Sequence, residues 1–109
     1  GGLAPGPGSA EARGLVGGLA VGEAVAGFKV EGIAGAPETG VQVHLRRREV
    51  RLVVSIVPRG QEPHRPPAQS GRYDLFFGYV RPEEADLSGD EVRAILAALA
   101  ARVQASEEM

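Results

Sequence analysis

Two runs of alternating apolar residues mirror each other across a short arginine-rich turn, and no other feature constrains the fold as strongly. Val41, Val43 and Leu45 precede the turn; Val50, Leu52 and Val54 follow it. In an antiparallel hairpin, directly opposed residues share a face of the sheet. With the turn centred on Arg47 and Arg48, Leu45 faces Val50, Val43 faces Leu52 and Val41 faces Val54. All six apolar side chains then fall on one face, and Gln42, His44, Arg46, Arg51, Val53 and Ser55 fall on the other. A slip of one residue would carry the apolar set to the polar side, so pattern and register agree.

The elements around this hairpin follow from local signals. Residues 1–8 hold two prolines and four glycines and read as a flexible lead-in. Residues 9–109 read as a single domain. Ser9 offers an N-cap, Glu11 suits the first turn, and a helix is expected over about 10–26, ending at Gly27. Its weakness is its glycine content, and the alternative is that 19–25 is already extended. Strands are expected over about 28–34, 40–46, 50–58 and 72–80, the last from its aromatic run. Residues 61–71 carry Pro63, Pro66 and Pro67 and read as an irregular, partly polyproline segment. Pro82 closes the fourth strand, and Glu83-Glu84-Ala85 suggests one short helical turn. Ser88 and Glu91 have the spacing of a capping box, and Val92, Ile95, Leu96, Leu99 and Val103 recur at helical spacing, which gives a helix over 88–104. Strands grouped between terminal helices predict an α+β fold: an antiparallel sheet of about four strands with both helices on one face.

Composition removes several classes. A chain of 109 residues suits one domain and can bury roughly two-thirds of its unfolded surface. It has no cysteine, which excludes disulfides, thiolate metal sites and cysteine nucleophiles. Its net charge of -2 offers no bulk attraction to nucleic acid or anionic lipid. No apolar run reaches the roughly 18 residues of a membrane span, and no signal-peptide pattern is present. The first residue is Gly and not Met, so the chain reads as a fragment or a processed product, with a cytoplasmic location as the default.

Few residues suggest chemistry. Gly14, Gly18 and Gly22 recur every fourth residue and, on a helix, would form a smooth packing stripe for the last helix or a second chain. The same stretch lacks the Lys and Ser/Thr of a phosphate loop. Arg46, Arg47, Arg48 and Arg51 form the densest positive patch. It reads as a solvated hairpin tip or a docking contact for an acidic partner; nucleic-acid binding would want aromatics interleaved on the same surface. His44 and His64 are too few and too far apart for a zinc site. Pro63-His64-Arg65-Pro66-Pro67 contains a Pro-x-x-Pro core but reads as a stiff loop. Ser9 and Ser88 are caps, Ser55 lies in a strand, and Glu83, Glu84 and Asp86 are ordinary helix-start carboxylates. No catalytic, cofactor-binding or metal-binding residue is assigned, and a non-enzymatic domain is expected.

One pattern exceeds an ordinary sheet. Val53 and Val57 lie opposite the Leu52/Val54 face, and Phe76 and Val80 lie opposite Tyr73, Leu75, Phe77 and Tyr79. A sheet covered by helices on one face should have a polar second face. At least two of Val53, Val57, Phe76 and Val80 are therefore expected to be covered, by the proline segment or by another subunit. The first functional expectation is a protein–protein interaction or assembly domain, an accessory subunit or chaperone-like partner. It would meet a protein or its own copy through these residues with Arg46, Arg47 and Arg48, or through the glycine stripe. The alternative is a small-molecule site between sheet and helices, lined by Phe28, Tyr73, Phe76, Phe77 and Tyr79.

Overall fold

The computed structural model describes residues 8–81, 83 and 86–108. The expected lead-in at 1–7 and most of the helical turn expected at 83–85 lie outside these residues. The elements run α1 (Ala10–Leu15), β1 (Ala24–Val25), β2 (Phe28–Ala36), β3 (Gly40–Arg47), β4 (Val50–Pro58), β5 (Ala68–Ser70), β6 (Tyr73–Tyr79) and α2 (Gly89–Glu107). The fold is α+β. All strand pairs are antiparallel, and the six-stranded sheet has the order β1-β2-β3-β4-β6-β5. It curls into a half-barrel around one apolar core.

The two extra strands are the short edges. β1 pairs with β2 through Ala26 and Gly27, which both have positive φ, at 51° and 85°. Two left-handed residues in a two-residue loop make the turn whose twist suits a hairpin. Gly27 thus turns a strand rather than stopping a helix. β5 lies inside the segment expected to be irregular, because Ala68, Gln69 and Ser70 find partners on β6 only after the chain reverses at Gly71 and Arg72.

The first helix is much shorter than its sequence suggests. The Ser9 hydroxyl accepts the Ala12 N–H, as expected of a cap. The helix stops at Leu15 because Gly17 and Gly18 turn left-handed, with φ of 71° and 76°. Gly18 N–H donates to the Arg13 carbonyl and Gly17 N–H to the Gly14 carbonyl, the paired bonds that close a helix on a glycine. Gly22 also has positive φ, at 95°. Gly14, Gly18 and Gly22 therefore share no helical stripe. Leu15, Val16 and Leu19 are nonetheless buried.

The central hairpin keeps the expected faces but shifts its register by two. Leu45 pairs with Leu52, Val43 with Val54 and Val41 with Ile56; Arg47 pairs with Val50, so the turn is Arg48-Glu49. A two-residue shift preserves every inward and outward assignment, so face alternation alone could not detect it. It also lets Arg47 sit over the Phe28 ring, 4.5 Å from its centroid, and reach Glu91 at 2.7 Å.

α2 covers the inner side of the curl. Ser88 and Glu91 form the capping box, with Glu91 N–H 3.2 Å from the Ser88 hydroxyl and Ser88 N–H 3.3 Å from the Glu91 carboxylate. Ile95, Leu96, Leu99 and Val103 are buried against the inward residues of the strands. Polar ties hold the far end: Ser70 Oγ donates to the Ala100 carbonyl, and Ser106 Oγ lies 3.0 Å from the Leu15 carbonyl.

Candidate interaction surface

With the inner side filled by the core, the remaining apolar residues of β4 and β6 lie on the outer side of the sheet. Register fixes its rows. Gly32, His44, Val53 and Gly78 lie side by side across β2, β3, β4 and β6. Ala34, Gln42, Ser55 and Phe76 form the next row. Val57 opposes Asp74 below them. Val53 stands between His44 and Gly78, and Phe76 stands beside Ser55. Both are half-buried, and Val80 beyond them is 47% exposed.

Val57 differs from its neighbours. It is buried within the chain, and a Cβ at Gly40 would come 3.0 Å from its Cγ1, so the β3 backbone closes over it. The proline-rich residues 61–65 are exposed. Asp74 anchors the start of that segment: its carboxylate accepts the Gly60 N–H at 3.0 Å and the Gln69 side-chain amide at 2.9 Å. These two bonds, with the Arg59 charge, hold the Asp74 pKa below the usual carboxylate range against the opposing effect of burial.

The arginine patch divides. Arg47 is engaged with Glu91 and Phe28 on the inner side and is a brace between hairpin tip and α2. Its hydrogen bond, followed by that from the Ser88 backbone, lowers the Glu91 pKa. Arg48 occupies the turn, where its carbonyl accepts from Arg46 Nε at 2.6 Å. Arg46 and Arg51 directly oppose each other on the outer side. Like charges placed so are repulsive. A bulge in β2 between Val30 and Gly32 supplies Glu31, whose carboxylate lies 3.7 Å from Arg46 and 3.6 Å from Arg51. Arg81, which no sequence pattern singles out, joins Arg46, Arg51 and Glu49 around a notch of about 100 Å³.

His44 lies in the same field of the sheet. Burial lowers its pKa, and the Glu31 charge works against that shift. Among the described residues, no group of three or more His, Asp or Glu side chains is placed to hold a metal ion. Clefts at the opposite end form where Pro37, Arg72 and Tyr73 meet; one also holds Ser106 and Glu107, with the Ser106 hydroxyl against the Leu15 and Val103 carbonyls and Glu107 3.4 Å from Arg72. The five aromatics do not share one side of the sheet. Phe28, Tyr73, Phe77 and Tyr79 belong to or pack on the inner core, with Phe77 and Tyr79 edge to face at 5.1 Å, and Phe76 points outward beside Ser55. Among the described residues, no helix is long and apolar enough to cross a membrane.

Compared with models of known protein families, with curated proteins and with solved structures, the chain matches none.

Proposed function

We propose that this is a non-enzymatic protein-interaction domain, an accessory subunit or chaperone-like partner, that meets its partner with the outer side of its sheet. The observation that carries this reading is the group of Val53, Phe76 and Val80, from neighbouring rows of a side to which neither helix contributes, bordered by Arg46 and Arg51. Apolar groups ringed by charge are the usual composition of a docking patch. Arginine at the border suits a partner that brings carboxylates.

Light scattering over a concentration series, repeated with candidate partner proteins, tests the reading. The expected result is a defined complex or homo-oligomer that Phe76→Asp abolishes. A chain that stays monomeric and binds no candidate partner, or a complex indifferent to Phe76→Asp, would overturn it.

A further inference from the structure

The outer side of the sheet carries a knob and a hole on one strand. Phe76 and Gly78 follow each other on the outward face of β6. Gly78 is exposed, and a Cβ there would meet no atom within 4 Å. A dimple therefore lies between the side chains of Phe76 and Val80, beside Val53. Between Phe76 and Gly78 runs the row of Ile33, Val43, Val54 and Phe77, whose side chains point inward. Consider a two-fold axis above that row, lying across the strands in the plane between two stacked sheets. It sets the two outward rows beside it against each other, so Phe76 of each copy covers Gly78 of the other. The same operation sets Val53 against Ser55, Gly32 against Ala34 and His44 against Gln42. The bulky Val53 and Phe76 each meet a small residue, and His44 meets an amide able to hydrogen-bond it.

Charge permits this orientation and opposes its alternative. Lys29, Arg46 and Arg51 form the next outward row, in which Glu31 bridges the two arginines. An axis along the strands would lay this net-positive row on its own image, which is repulsive. The axis across the strands lays it over Ala36, Gly40 and Val57 instead. It also brings Glu38, exposed in the turn between Ala36 and Gly40, beside the exposed Lys29 of the other copy. A face holding both halves of each contact across one axis meets the requirement of an isologous dimer. Resting on the reading of the outer side as an interaction surface, we propose that its partner is a second copy of this chain, packed sheet on sheet, with Phe76 of each seated over Gly78 of the other. Such sheets stack about 10 Å apart with their strands nearly aligned. Four strands about 4.8 Å apart and four outward rows about 6.7 Å apart give a footprint of about 500 Å² on each copy. The curl of the sheet trims its margins. The pair then buries about 1,000 Å² or less, the low end for a specific interface, so the dimer is weak and forms at micromolar concentration or above.

Sedimentation equilibrium of the full chain from micromolar to millimolar concentration is expected to show a reversible monomer–dimer equilibrium. Phe76→Gly removes the knob and Gly78→Phe fills the hole. Each should weaken the dimer by about tenfold or more. Both should leave the monomer folded, because Phe76 lies outside the inner core and the space at Gly78 is open. Combining them exchanges knob and hole, and the two-fold axis then restores the fit, so the double variant should dimerise again. The chain has no cysteine, which allows a second test in an otherwise unchanged protein. A short bismaleimide should join Val53→Cys to Ser55→Cys in a mixture far better than it joins either variant to itself. This test decides the matter if the double variant fails to fold. A double variant that folds but stays dissociated would overturn the seating of Phe76 over Gly78. Cross-linking of either cysteine variant to itself in preference to the mixture would overturn the axis. A wild-type chain monomeric at millimolar concentration would overturn the dimer; a complex with another protein that Phe76→Asp abolishes would then leave the outer-side reading standing. A dimer indifferent to Phe76→Asp would overturn both.

Discussion

Arg48 holds a left-handed backbone at φ 57°, a conformation that costs an L-residue with a Cβ roughly 1–2 kcal/mol. Its side chain is exposed at the hairpin tip, so the position can be tested without touching the core. Arg48→Val, which adds β-branching to the same conformation, should lower stability by about 1 kcal/mol or more, whereas Arg48→Gly should leave it unchanged or raise it. Chemical denaturation of both variants checks this, and a Val variant as stable as the Gly variant would show that the turn relaxes to another form. Glu91 gives a prediction in pH. Arg47 and the Ser88 N–H depress its folded pKa, so its contribution is present above the unfolded value near 4.5 and is lost as pH falls through the folded value. Wild type should exceed Glu91→Gln in stability at neutral pH, and the gap should close in acid. Asp74 has the same sign, since its pKa is also lowered. Protection of the Gly60 amide, its exchange relative to an unstructured amide at the same pH, should therefore fall as Asp74 protonates, at pH values below the ordinary carboxylate range.

At the scale of elements, α2 stands out because one face of it supplies much of the core. Leu99 has no exposed surface and lies among strand residues from across the curl. Leu99→Ala should cost about 2–5 kcal/mol, a large share of the stability of a domain this size, and thermal melting would report it. Gly35→Ala probes the β2–β3 connection. Gly35 has φ 90°, and a Cβ there would collide with the Gly40 carbonyl, so both strain and a backbone clash oppose the change. Which elements were legible in the sequence follows from the range of the signal. Ser88, Glu91 and the 3.6-residue repeat of α2 are local, and the helix lies where they put it. The faces of β3 and β4 came from alternation, but alternation is blind to a shift of two. Centred on Arg47-Arg48, the alternation sets Arg47 in the turn beside Arg46; shifted by two, it sets Arg47 against Glu91 and Phe28. β1 and β5 are two and three residues long and exist through partners distant in sequence, so no window of residues could reveal them. The stop at Gly17-Gly18 was in principle readable. Paired glycines after Leu15 and Val16 are a helix end, and the four-residue glycine spacing pointed the other way.

For the molecule as a whole, the decisive quantity is how much apolar surface the outer side keeps in water. Val53 and Phe76 could be placed there from sequence, because their parity against Leu52, Val54 and Phe77 is unambiguous. The notch could not, because Arg51 and Arg81 meet only after β4 and β6 pair in a specific register, and Glu31 reaches them only through a bulge. Phe76 is half-buried against small neighbours and contributes nothing to the inner core. Complete burial of a Phe is worth about 1.5–3 kcal/mol, so removing a half-buried one should cost about 1 kcal/mol. In a domain of this length that is a fall in melting temperature of about 4–8 °C. Phe76→Asp should therefore remain folded at room temperature, with the near-ultraviolet and amide spectra of wild type. The same carboxylate set in the middle of an apolar interface would be desolvated without a partner, which should dissociate any complex formed there. Melting and light scattering on the same sample separate the two effects. A large loss of stability would mean that Phe76 is part of the monomer's own packing. A small loss with association intact would move the partner off this face of the sheet, because no complex built on Val53, Phe76 and Val80 could tolerate a charge at its centre.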